Sequence, residues 1–496
     1  MRPGGPYPVV MDPSAPAPDL VPVSEGGGPW RRRLRLAGPF AVVGVLVAIV
    51  AVALGGSTTG PAAGSPTGPP SPPGTPLVAI VDATGALTTM DGGGGAAVAY
   101  PVPGVTFGFP AWSPDGRHLA AVGSGPDDVA IYVFAVRPEA PAAGTGGGSG
   151  EPDPGQPAVI YRSAENPPFY LFWTPDGGSI AFLANDPTGI ALRLAPADGS
   201  APLDGSGPGA VVRRGAPLYF AWEGSDRLLL HVGTGSGAFV GEVGLDGASV
   251  APAIPGGGDF RSASASTDGR YLAYLRGGPG PATLVVAARD GSSEQGLPVA
   301  GPAAFVFDPT GDTVATIAAI TAVPGAPTFP LGPLRLLDPE TGASRTLLDG
   351  AVVAFFWSPD GRTIAALRVS SAGGQVAGRA PAAQLAVARP ADARPALTAP
   401  PDASAPPAPV VHLVFVDVAS GAVRSDRAVR LGEHFVGELL PYFDQYALSH
   451  RLWAPDGSSL LLPLVDDGGR TRLTSLPSDG SAAHPIADGI SGFWSP

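Results

Sequence analysis

Trp112-Ser113-Pro114-Asp115-Gly116 returns intact as Trp357-Ser358-Pro359-Asp360-Gly361. With one change it stands at Trp173-Thr174-Pro175-Asp176-Gly177 and Trp453-Ala454-Pro455-Asp456-Gly457. Weaker copies are Trp222-Glu223-Gly224-Ser225-Asp226, Ala265-Ser266-Thr267-Asp268-Gly269 and Phe307-Asp308-Pro309-Thr310-Gly311, and the last residues, Phe493-Trp494-Ser495-Pro496, form a copy cut short. An apolar or aromatic run precedes each copy and another follows it, as in Phe355-Phe356-Trp357 before the turn and Thr363-Ile364-Ala365-Ala366-Leu367 after it. Proline presets φ, and Asp-Gly favours a tight reversal, so the phrase reads as a turn between two strands.

From first residue to first residue the copies step by 61, 49, 43, 42, 50, 96 and 41. A four-stranded propeller blade takes roughly 40–50 residues, and propellers have about 4–8 blades. The step of 96 holds a Pro/Ala-rich insertion at 371–409; without its 39 residues the step is 57, again one blade. Eight copies therefore predict an eight-bladed, all-β propeller. Residues 77–82, 86–90 and 97–101 are strand-like but have no copy of the phrase before them, and 489–494 supplies the missing inner strand. The N- and C-terminal segments are thus expected to share one blade and bury both free sheet edges.

The chain of 496 residues is 44% hydrophobic and only 14% charged, with 72 Gly and 61 Pro, a balance that favours turns and linkers over long helices. It has no cysteine, which excludes disulfides, Cys-ligated metal and lipid-modified cysteine. All 29 basic residues are arginine, a pattern that codon bias explains. Net charge is −13. Residues 1–36 hold five Arg and three acidic groups, leaving 24 Arg against 39 Asp and Glu. A body this acidic repels phosphate backbones, so nucleic acid is not an expected partner.

Residues 1–35 read as a disordered cytoplasmic tail ending in Trp30-Arg31-Arg32-Arg33-Leu34-Arg35. Residues 36–54 are nineteen uncharged, largely apolar residues, close to the length that spans a hydrocarbon core of about 30 Å. The arginines before the run predict an N-terminus inside and a propeller outside the cytoplasmic membrane, tethered by a single transmembrane helix. Ala51-Val52-Ala53 also fits a signal-peptide cleavage site, which would give a secreted protein. A Pro/Gly/Ser linker at 55–76 leads into the repeats, at 77–496.

The repeats resemble those of the TolB-type, WD40-like propeller family. The resemblance rests on the phrase followed by a basic or small residue and an apolar strand, as in Arg117-His118-Leu119-Ala120 and Arg362-Thr363-Ile364-Ala365, and covers about 77–496. It implies a propeller of the kind found in periplasmic parts of envelope assemblies and in domains attached to peptidases. The chain departs from TolB in having no room for a separate N-terminal α/β domain. It departs from the peptidases in having no Gly-x-Ser-x-Gly elbow.

The repeated tryptophans are expected to pack between blades, and the turn aspartates Asp115, Asp176, Asp268, Asp360 and Asp456 to bond their own backbone. The six histidines show no metal-ligand spacing, and no cofactor or metal is expected. One stretch breaks the rhythm: Glu433 to Tyr446 is long, aromatic and partly helix-like, on the way into an inner strand. Within it Tyr442, Phe443, Asp444, Gln445 and Tyr446, followed by His450 and Arg451, suit a protein contact. Arg261, where other repeats are apolar, is a second candidate. The expected function is a tethered, non-enzymatic scaffold binding envelope or membrane proteins. A ligand or glycan sensor at the channel mouth and a propeller lyase, lactonase or hydrolase are the alternatives. A channel plugged by Tyr442 to Tyr446 would favour the scaffold.

Overall fold

The computed structural model describes residues 74–136, 157–200, 210–234, 237–251, 253–254, 263–277, 281–318, 330–370 and 410–496. Each intact copy of the phrase forms the expected turn. Ser113 Oγ donates to Asp115 Oδ1 at 2.6 Å, and the same carboxylate oxygen accepts the Arg117 amide at 3.0 Å. Ser358, Asp360 and Arg362 repeat this geometry, at 2.6 and 3.0 Å. The closing glycines are left-handed, with φ of 67° at Gly116 and 69° at Gly361, which a β-carbon would resist. The Thr174 hydroxyl and Gly178 amide likewise hold the Asp176 carboxyl below the usual carboxylate range.

Strands on either side of these turns pair antiparallel and bury both faces. On His118–Ser124, Leu119 and Ala121 belong to one apolar cluster, while Ala120 and Val122 belong to another. Alternate residues point to opposite faces, so a strand buried on both sides lies in a sheet sandwiched between two neighbours. The tryptophans show the order of those neighbours. Five repeat indoles donate to the backbone carbonyl just before the matching residue of the preceding repeat, while that of Trp494 has no partner among the described residues. Trp112 reaches Phe493 O at 2.9 Å, Trp173 reaches Ala111 O at 2.9 Å, Trp357 reaches Val306 O at 3.2 Å and Trp453 reaches Phe356 O at 3.1 Å. Trp222 points to Phe172 O at 3.4 Å. The inner strands thus follow one another around an axis in chain order, as in a β-propeller.

The chain ends meet in one sheet. Ser491–Trp494 pairs antiparallel with Leu77–Val81, with Val78 opposite Trp494 and Val81 opposite Ser491. Ser495 Oγ accepts the Leu77 amide at 3.0 Å, and the Ser495 amide donates to Leu77 O at 2.7 Å.

The expected fold class needs two corrections. The described residues form seven hydrogen-bonded sheets, not eight separate four-stranded blades. The 14-residue strand Ser344–Trp357 is the reason. Its first half closes the sheet of Ala303–Phe307, and its second half opens the next, which merges two repeats into one seven-stranded sheet. Secondly, no helix among the described residues is long and apolar enough to cross a membrane, so the fold is not shown to include a transmembrane helix. The apolar run at 36–54 and the tail before it lie outside the described residues, as do Arg261 and the insertion at 371–409. Ser370 pairs with Val410, so that insertion joins two adjacent strands of a single sheet.

Candidate functional site

The irregular stretch before Trp453 folds into the middle of the ring. Phe435–Leu439 is a π-helical turn, Leu440–Tyr442 a 3-10 turn and Phe443–Ser449 an α-helix. Pro441 lies in the first positions of the 3-10 turn, where its missing N–H costs no hydrogen bond. A seven-residue helix has little stability of its own, so packing must hold it. A surface helix buries one stripe, but here Phe443, Asp444, Gln445 and Tyr446 are buried consecutively, which places the helix inside the channel.

Inner strands grip it from several sides. Phe443 meets Phe355 and Phe356 edge-on, with centroids 5.3 and 5.9 Å away. Tyr446 stacks on Phe109 at 6.1 Å and takes Tyr170 edge-on at 5.4 Å. The Tyr170 hydroxyl donates to Gln445 O at 3.1 Å, and burial pushes both tyrosine pKa values up, so both stay protonated. Phe109 and Tyr170 reach inward because their backbones are left-handed, with φ of 52° and 47°. Each sits where the register of its strand slips, between Gly108 and Ala111 and between Phe169 and Leu171. A bulge redirects a side chain at a backbone cost of order 1–3 kcal/mol. Matching bulges on two inner strands therefore adapt the wall to the helix.

These positions correct the expected contact. Phe443, Asp444, Gln445, Tyr446 and His450 are all less than a tenth exposed, and their apolar and aromatic surface is spent on the channel wall. His450 packs on Phe493 at 4.6 Å, and burial lowers its pKa to about 3, so it stays neutral. Tyr442, 40% exposed, and Arg451 face solvent. Phe109 and Tyr170 escaped the sequence reading because a bulge leaves no local signature in an apolar strand. The space left beside the helix measures about 20 Å³ and is lined by groups including His434, Glu438 and Ser491. Burial pushes the Glu438 carboxyl up and the His434 imidazole down, so each is driven toward its neutral form. Among the described residues no three His, Asp or Glu side chains gather as a metal site.

A second polar cluster lies between two sheets. Glu223 replaces the small hydroxyl residue that follows Trp112, Trp173 and Trp357, and the next repeat has Ala265 in place of its tryptophan. No indole can cross this junction. Arg289, just past the strand Ala282–Ala288, crosses it instead, bonding Glu223 and, at 2.6 Å, Glu242. Arg227 stands 3.6 Å from Glu242. Among the described residues, Glu223 Oε2 has no hydrogen-bond partner. Desolvation, with Glu242 repulsion, outweighs the two arginines and pushes the Glu223 carboxyl up to about 7. The folded state therefore holds a proton that the unfolded state has released between pH 4.5 and about 7. The stabilisation is complete below pH 4.5 and is lost as pH rises through about 7, a change of about 3 kcal/mol. Urea midpoints measured from pH 5 to 8 should fall with pH in the native chain and flatten in Glu223→Gln; parallel curves would assign the slope to other groups.

No protein-family model and no curated protein matches the chain. Among solved structures it is similar to the dihydro-heme d1 dehydrogenase NirN in complex with DHE, at 13% identity and a TM-score of 0.48, covering 86% of this chain and 79% of that one. An oligogalacturonate lyase in complex with manganese is 12% identical with a TM-score of 0.41, covering 86% of each chain. TolB from Acinetobacter baumannii is 13% identical with a TM-score of 0.34, covering 79% of this chain and 66% of that one. The likeness concerns the fold and carries no activity with it.

Proposed function

We propose that this chain is a non-enzymatic binding module for other proteins of the cell envelope. The observation that carries the reading is the helix Phe443–Ser449 seated among the inner strands. It fills the place where a propeller enzyme would assemble substrate and catalytic groups. The cavity of about 20 Å³ that lies beside it compares with roughly 300–1,000 Å³ for a small-molecule site. Along this segment Glu433, Tyr442 and Arg451 are exposed. Exposed aromatic and charged side chains suit a protein contact. Export from the cytoplasm is supported by the arginine cluster and the apolar run that follows it.

Placing a photo-crosslinking amino acid at Tyr442 in living cells should give a discrete adduct with a second protein. The same group at Val250, 50% exposed in the loop after the strand Phe239–Gly244, should give none. Equal labelling from both positions, or none from Tyr442, would remove the contact from this end of the channel.

A further inference from the structure

A second cavity lies beside the repeat turn that closes on Gly361. It measures about 580 Å³ and opens where the seven-stranded sheet passes from one repeat to the next. Arg345, Arg362 and Arg424 line it, over a floor that includes Leu336 and Val418. The topology brings the three arginines together. Arg345 starts the long strand Ser344–Trp357, Arg362 follows the turn at its end, and Arg424 begins the last strand of the same sheet, Val423–Val429.

Two carboxylates also line the cavity, and three of their four oxygens accept hydrogen bonds within the protein. Asp338 Oδ1 accepts the Glu340 and Thr341 amides, both at 2.9 Å. Asp417 Oδ1 accepts the Ser420 amide at 2.9 Å and its hydroxyl at 2.8 Å, and Asp417 Oδ2 is bonded by Arg424. Arg345 gives one N–H to Val418 O. A guanidinium has five N–H donors, so Arg345 and Arg424 are held in place with donors to spare. Arg362 is 82% exposed and sits 4.0 Å from Asp360, free to swing over the opening.

We infer that this groove binds a small organic anion with two or more carboxylates. Fork-shaped guanidinium donors match carboxylates in pairs, and two of the three are pre-positioned by bonds to the backbone or to Asp417. The apolar floor favours a carbon skeleton over a bare inorganic anion. The volume lies within the range of small-molecule sites. In a protein of net charge −13, non-specific attraction of anions cannot account for such binding. The inference is independent of the protein contact proposed at Tyr442.

Titration calorimetry with citrate and with inorganic phosphate, at fixed ionic strength in chloride, tests it. Citrate should bind saturably and about tenfold more tightly than phosphate. Arg362→Ala, which removes an exposed side chain and leaves the fold intact, should weaken citrate about tenfold, as expected for loss of a charge-assisted pair. Arg362→Lys should fall between, since it keeps the charge and loses the fork. Arg472→Ala, on a different sheet, should bind as the native chain does. Absence of saturable citrate binding, equal affinity for phosphate, or an Arg362→Ala variant indistinguishable from the native chain or from Arg472→Ala would each overturn the inference.

Discussion

A chain ending at Ile490 is expected to lose its closed ring. Removing Ser491–Trp494 and the two residues after it strips Leu77–Val81 of one of its two partner strands and exposes an edge whose five residues are buried in the intact ring. It also deletes Phe493 and Trp494, both less than a tenth exposed, and the carbonyl that accepts the Trp112 indole. Loss of a core Phe or Trp costs about 3–5 kcal/mol each, so the combined effect approaches the whole stability of a typical domain, about 5–15 kcal/mol. The bared edge of Leu77–Val81 is a template for another chain. Size-exclusion chromatography should show oligomers or aggregate, and amides of Leu77–Val81 should lose hydrogen-exchange protection. A monomer with unchanged protection there would mean that the ring does not depend on the pairing of its ends.

Phe443→Ala should destabilise the protein by about 3–5 kcal/mol, as for other buried Phe truncations. Phe443 is 1% exposed and wedged edge-on between Phe355 and Phe356. The helix has too few residues to persist without its anchor. The cavity left behind cannot collapse easily, since its wall is the hydrogen-bonded inner strand of a sheet. Tyr442→Ala, one residue away and 40% exposed, should stay within about 0.5 kcal/mol of the native chain. Urea unfolding followed by tryptophan fluorescence separates the two. A loss at Phe443 no larger than at Tyr442 would show that the helix merely rests in the channel.

Both predictions depend on features with different visibility in the sequence. The sharing of one sheet by the two chain ends was legible because the last copy of the phrase is cut short while residues 77–101 carry strands with no copy before them; the register, Trp494 opposite Val78, was not. The phrase itself is a local code. Proline, aspartate and glycine set a turn within five residues, and alternating apolar residues set the strands on either side. Periodic tryptophans announced an interface. Their donation to the carbonyl one place before the matching residue of the previous repeat needed coordinates.

The sequence singles out the stretch from Glu433 to Arg451 as a contact surface, but the fold buries most of its aromatic side chains. Phe443, Tyr446 and His450 look like exposed contact residues in one dimension, because an aromatic cluster outside a strand has no visible partner. Its partners are Phe355, Phe356, Phe109, Tyr170 and Phe493, contributed by separate repeats, two of them turned inward by bulges. The merging of two repeats through Ser344–Trp357 and the convergence of Arg345, Arg362 and Arg424 are equally non-local. By itself, then, the sequence determined the turns, the strands, their repetition and the meeting of the two ends, since each follows from residues within a few positions or from a regular count. Only the tertiary structure decided what fills the channel, which aromatics remain exposed and where the arginines gather, because those depend on which repeats become neighbours around the ring.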